Sequence, residues 1–182
     1  MSESFGRVRF PRRSFASHTR TLWEIAEVQL LLVCTGNTCR SPLAEFIGRD
    51  MARARGLNIE CVSAGTSAWD GATASDGALL VGLERGLDLA AHASRALTAE
   101  LIAQASLVLC MGAQHLDQVN ALGGSGKSWV LSDFAHGANA RRGVSDPFGA
   151  DLATYRATAD ELEQLMAQVL DRISAERHSA SN

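Results

Sequence analysis

Residues 28 to 46 read VQLLLVCTGNTCRSPLAEF, and the order of residue types in them decides the fold. The run VQLLLV (28–33) is short, apolar and bounded by a turn, which predicts a buried strand. Gly36 and Asn37 then supply the two residue types that most readily enter left-handed backbone conformations. Pro42 opens the run PLAEFIGRDMARARG (42–56), which stops at Gly56, the arrangement that helix ends prefer. Strand, tight loop and helix together make the first half of a βα unit.

Three more β-like runs follow: NIECVSA (58–64), SLVLCM (106–111) and SWVLSDF (128–134). Helix-like stretches separate them, so the alternation predicts a single α/β domain with a small parallel sheet and helices on both faces. The last helix is the clearest. Leu152, Tyr155, Ala159, Leu162, Met166, Val169 and Ile173 recur at three- and four-residue steps from Asp151 to about Glu176, a stripe that packs against a core. The domain is expected over residues 28–176, after a basic extension (1–27) without order of its own and before a frayed tail (177–182).

At 182 residues, with 46% hydrophobic and 20% charged residues, the chain has room for one ordinary core. A net charge of −3 and no basic cluster in the main body argue against nucleic-acid binding. The first 27 residues carry Arg7, Arg9, Arg12, Arg13 and Arg20 against Glu3, Glu24 and Glu27. PRRSF there is similar to the start of a twin-arginine export signal, but ASHTRTLWEIAEVQ is no apolar core region and no small-residue cleavage site follows. No stretch is long and apolar enough for a membrane helix. Cys34, Cys39, Cys61 and Cys110 do not make the dense framework of a secreted scaffold, which points to a reducing cytoplasm.

In a parallel sheet, ligands bind beyond the carboxyl ends of the strands. Cys34 ends the first strand. In the loop after it, the backbone N–H groups of residues 35 to 40 (Thr35, Gly36, Asn37, Thr38, Cys39 and Arg40) can converge on an oxyanion, and the following helix adds its positive end. Arg40 adds a guanidinium fork suited to two phosphate oxygens. The same field favours a nucleophilic thiolate at a cysteine so placed, and Ser41 can donate a hydrogen bond to its sulfur. The chemistry calls for no metal and no cofactor.

VCTGNTCRSPLAE closely resembles the phosphate-binding loop of the low-molecular-weight protein tyrosine phosphatases, and SAGTSAW, LVLCM and DPFG extend the similarity over about residues 28 to 175. The resemblance implies a four-stranded sheet, a phosphorylated protein as substrate, a phosphocysteine intermediate on Cys34 and inorganic phosphate as product. It also implies that Asp146 of DPFG protonates the leaving group and then activates water; by composition alone Asp-Pro reads as a turn. Thr38, where tyrosine-specific relatives usually carry a larger aliphatic, resembles the protein arginine phosphatase branch. Trp69 and Phe148 complete the expected substrate pocket, and Trp69 matches an aromatic that in tyrosine-specific members flanks the substrate ring, so phosphotyrosine is the alternative to phosphoarginine. Cys39 could form a reversible disulfide with Cys34 under oxidation.

Other readings weigh less. ALGGSGKS (121–128) nearly matches a nucleotide-binding loop, but it follows a helix (112–122) and leads into a strand, the inverse of what such a loop requires. Thioredoxin-coupled arsenate reductases resemble the same loop, yet here Cys110 has no second cysteine after it to relay electrons. A catalytically silent phosphate-binding module would need neither Cys34 nor Asp146. His92 and His115 are read as structural.

Overall fold

A computed structural model describes residues 28–137 and 142–180; the predicted extension (1–27) lies outside the described residues, as do Ser181 and Asn182. Four strands, β1 (Val28–Cys34), β2 (Ile59–Gly65), β3 (Leu107–Cys110) and β4 (Ser128–Val130), form one parallel sheet in the order β2-β1-β3-β4. Helices α1 (Arg40–Ala54), α2 (Asp76–Glu84), α3 (Ala99–Gln104), α4 (Ala113–Val119), α5 (Leu131–His136) and α6 (Leu152–Ala180) complete the fold.

Alternation along β1 builds two cores. Leu30, Leu32 and Cys34 face one side, with Leu43 and Ile47 of α1 and Leu162, Met166 and Val169 of α6. Leu31 and Val33 face the other, with Ile102 of α3 and Val119 of α4. Because both faces are covered, the strand reads as a continuous apolar run rather than an alternating one. At Gly48 a Cβ would lie 2.6 Å from Met166 Cε and 3.0 Å from Cys61 Sγ, so the bare glycine lets α1 sit close to α6 and the sheet.

The expected stripe on α6 is buried from Tyr155 to Ile173. The strand expected over SWVLSDF is corrected: it ends at Val130, and Leu131–His136 is helical. Among the described residues β4 is an edge strand whose only partner is the short β3, paired from Val108 to Cys110, so ladder bonds run out after Val130. Leu131 and Phe134, three apart, are then both buried by one helical turn, which Gly137 ends at φ 65. The near match to a nucleotide loop is a connection between α4 and β4, with Gly123 and Gly126 at φ 95 and 87. Its Lys127 donates to the Ala103 and Ala105 carbonyls at 3.1 and 2.7 Å, closing the end of α3.

The sheet order reverses beside β1: β1 passes to β2 on one side and β3 lies on the other. Ligand sites form at such a switch point, beyond the carboxyl ends of the strands. Cys34 is the last residue of β1 there.

Candidate active site

Cys34 is buried at the base of the loop between β1 and α1. Its Sγ lies 2.9 Å from Ser41 Oγ and accepts the Asn37 amide N–H at 3.3 Å, so the loop folds back over the sulfur. The first turn of α1 has no acidic residue, and its N-cap, Cys39, makes no side-chain capping bond. Pro42 brings no N–H to that turn. The positive end of a 15-residue helix is therefore left to an anion from outside.

Asn37 holds this loop. It is fully buried and takes φ 54, the one described non-glycine residue with positive φ. Its Nδ2 donates to Ser41 Oγ at 2.9 Å and to Ser63 Oγ at 2.8 Å, and its Oδ1 accepts the Arg95 amide at 2.9 Å. Its carbonyl accepts from His92 Nε2 at 2.8 Å. Every polar group of this side chain is thus satisfied, which stabilises the unusual backbone. Because the Asn37 amide donates into Ser41 Oγ, the hydroxyl hydrogen is left for an acceptor, and the Cys34 sulfur at 2.9 Å lies nearer than the Ala64 carbonyl at 3.5 Å. Ser63 passes the network on, donating to Glu45 Oε2 at 2.5 Å, and Glu45 pairs with Arg49.

The neighbouring strand makes room. A Cβ on Gly65, at the end of β2, would sit 2.5 Å from the Thr35 carbonyl oxygen and 2.9 Å from the Asn37 nitrogen. Only a glycine lets the loop lie against β2.

Arg40 and Asp146 meet across the mouth. Arg40 Nη2 donates to Asp146 Oδ2 at 2.5 Å and Nη1 to the Val144 carbonyl at 3.2 Å. The guanidinium is buried and the carboxylate half exposed. Asp146 Oδ1 accepts the Phe148 amide at 3.2 Å, so Asp146-Pro147-Phe148 is the turn that composition suggests, and the same turn aims the carboxylate at the loop.

These groups enclose a cavity of about 240 Å³ lined by Cys34, Thr35, Gly36, Thr38, Cys39, Arg40, Asp146 and Phe148. The structure thereby brings together nearly all the residues expected at the site, with Asn37 and Ser41 buried directly behind it. Trp69 stands apart from the lining: it is 85% exposed on the loop after β2, where its carbonyl accepts from Ser94 Oγ at 2.5 Å.

Both histidines pack against the loop. His115 Nε2 lies 2.9 Å from Thr35 Oγ1. Burial first, and then the charge of Arg40, push the His115 ring down to about 4, with Asp146 opposing. Its Nδ1 is buried without a hydrogen-bond partner. A neutral ring fits that setting, since a bare nitrogen lone pair loses less than a buried N–H would.

Several site residues escaped the sequence reading. Ser63 and Arg95 come from β2 and the loop before α3, distant in sequence from the Cys34 loop, and Glu45 comes from the second turn of α1. Tyr155, read only as core, also reaches the site, its hydroxyl 3.4 Å from Cys39 Sγ and 3.1 Å from Ser75 Oγ. The signal was present: it is the single tyrosine of the chain, and a buried tyrosine needs a partner for its hydroxyl. Ser75 Oγ also lies 3.1 Å from Cys39 Sγ. Cys61 and Cys110 lie within strands as expected, and burial pushes each thiol up to about 12.

Comparison with known proteins gives this geometry a family. The family model described as low molecular weight phosphotyrosine protein phosphatase matches residues 29–179. A protein-arginine-phosphatase of Bacillus subtilis is 36% identical over 152 residues, covering 82% of this chain and 99% of that protein. A low molecular weight protein-tyrosine-phosphatase, PtpB of Staphylococcus haemolyticus, is 33% identical over 143 residues, covering 78% and 97%. The solved structure of the YwlE arginine phosphatase, as a Cys-to-Ser mutant with a phosphorylated active-site serine, superposes with a TM-score of 0.78 at 35% identity, covering 83% of this chain and 99% of that one. That family model spans nearly all of the described domain, including the loop that carries Cys34 and Arg40 and the turn that carries Asp146, and the chain belongs to the low-molecular-weight phosphotyrosine protein phosphatase family.

Proposed function

We propose that this phosphatase removes phosphate from phosphoarginine side chains of proteins through a phosphocysteine on Cys34. The observation that carries the substrate is the cavity wall, whose lining includes both Thr38 and Asp146. A guanidinium has only N–H donors, so it needs acceptors around it, and a hydroxyl and a carboxylate provide them. The names of two relatives at 36% identity support the same reading.

In the first step Cys34 Sγ attacks phosphorus, the S–P bond forms and the P–N bond breaks. Asp146, carrying a proton, delivers it to the departing nitrogen. Arg40 and the amides of residues 35 to 40 hold the three phosphoryl oxygens, and the Ser41 hydroxyl stabilises the sulfur. In the second step water attacks phosphorus, its proton passes to Asp146 and the S–P bond breaks. Inorganic phosphate leaves and the thiolate returns. The catalytic unit is residues 28–176; neither nucleic acid nor membrane takes part. It works in a reducing compartment, the cytoplasm, where Cys34, Cys39, Cys61 and Cys110 stay free thiols. Among the described residues no helix is long and apolar enough to cross a membrane.

The test is kcat/KM on matched phosphoarginine and phosphotyrosine peptides, for the natural protein and for Thr38→Ile. Preference for phosphoarginine that shifts toward phosphotyrosine on substitution supports the reading. A preference for phosphotyrosine that Thr38→Ile leaves unchanged overturns it and makes Phe148, the aromatic of the cavity lining, the selective element.

A further inference from the structure

Beside the cavity lies a second concavity, of about 420 Å³, between the start of α2 and the segment that leads into α6. Asp76, Gly77, Leu80, Phe148, Leu152 and Tyr155 line it. Leu80 is 52% exposed and Phe148 74% exposed, so two large apolar side chains meet water at one place. Adjoining exposed apolar side chains of this kind mark interaction sites. Gly77 lets the Tyr155 ring pack against the start of α2, since a Cβ there would lie 2.6 Å from that ring.

The groove is continuous with the active site. Phe148 lines both spaces, and Ser75 and Tyr155, which line the groove, contact Cys39 of the loop at 3.1 and 3.4 Å. A protein that presents a phosphorylated side chain to Cys34 must lay its main chain across the cavity mouth. Residues of an extended chain advance by about 3.3–3.6 Å each, so side chains one to three positions away fall over the neighbouring surface.

We infer that this groove receives an apolar side chain of the substrate polypeptide within about three residues of the phosphorylated one. The inference rests on the protein-phosphatase reading of the adjoining cavity. The occupant is aliphatic or aromatic because Leu80, Phe148, Leu152 and Tyr155 are the large side chains of the lining, and Asp76, also in the lining, repels an acidic side chain in that position.

The experiment compares free phosphoarginine, which has no flanking residues, with phosphoarginine peptides carrying Leu or Ser at each position within three residues. The natural protein is expected to favour Leu at one position by about tenfold in kcat/KM. Leu80→Glu is expected to remove that preference, chiefly through KM, while turnover of free phosphoarginine stays unchanged and Leu80→Met keeps the preference. Indifference of the natural protein to every flanking residue overturns the inference. So does an equal loss on peptide and free phosphoarginine in Leu80→Glu, which would make Leu80 part of the fold. A fall in molecular mass in solution on Leu80→Glu would assign the groove to a second copy of the chain, and a gain in peptide turnover on removing residues 1–27 would assign it to that segment; either overturns the inference. If free phosphotyrosine is the better small substrate, the same series is made with phosphotyrosine, so failure of the phosphoarginine reading and failure of the groove are seen separately.

Discussion

Arg40 and Asp146 are ion-paired at 2.5 Å, the guanidinium buried and the carboxylate half exposed. The group proposed to hold the phosphoryl oxygens is thus held by the group proposed to protonate the leaving nitrogen. On that proposal an arriving oxyanion would compete with Asp146 for the same guanidinium, and its binding would free the carboxylate for the leaving group. Affinity for phosphate and readiness of the acid would then be coupled through one contact.

Asp146→Asn separates the two. Inorganic phosphate, measured as a competitive inhibitor, is expected to bind more tightly because its rival for Arg40 has lost its charge. Turnover is expected to fall by about two to four powers of ten, the usual worth of general acid catalysis. Unchanged turnover on phosphoarginine would remove Asp146 from the mechanism.

Cys34→Ser is expected to abolish turnover of a chromogenic aryl phosphate while phosphate still binds, since the loop amides and Arg40 remain. Calorimetric titration with phosphate checks the binding. Full activity in this variant would exclude the phosphocysteine.

Asn37 couples a left-handed backbone to a fully bonded side chain. Asn37→Ala adds roughly 1–2 kcal/mol of backbone cost to about 1–3 kcal/mol for the buried partners it strands. Asn37→Gly spares only the first. Urea unfolding should rank the natural protein above Gly and Gly above Ala, and kcat/KM should fall in both variants. Equal stability of Gly and Ala would mean that the backbone strain is negligible.

His115 makes stability depend on pH. Its ring titrates near 4 in the folded protein against 6.5 ordinarily, so between those values the unfolded chain binds the extra proton. The stabilisation is therefore complete above pH 6.5 and is lost as pH falls toward 4, by up to about 3 kcal/mol. Urea unfolding at pH 7, 5.5 and 4.5 should show that loss, and His115→Gln should flatten it. An identical pH slope in the variant would show that His115 is not its source.

Much of the site was legible in one stretch, because the βα unit that makes it is local. Cys34, Gly36, Asn37, Arg40 and Ser41 lie within eight residues, and a strand end, a bend and a helix start place them around one point whatever the rest of the chain does. The fold class was legible for a similar reason, since a buried parallel strand must be apolar on both faces and an amphipathic helix must show its stripe. The end of β4 was not, because a strand lasts only as long as its partner does, and β3 spans four residues. Nor was the clamp on Asn37 by Ser63, His92 and Arg95, whose partners stand 26 to 58 residues away along the chain. Asp146 lies between these cases. Its sequence reads as a turn and is one, and only the docking of the segment before α6 beyond the end of β3, where the Val144 amide donates to the Met111 carbonyl, brings that carboxylate onto Arg40, 106 residues distant. Local order determined which groups this protein owns. The tertiary structure decided which of them touch, because hydrogen bonds and ion pairs depend on separation in space and not along the chain.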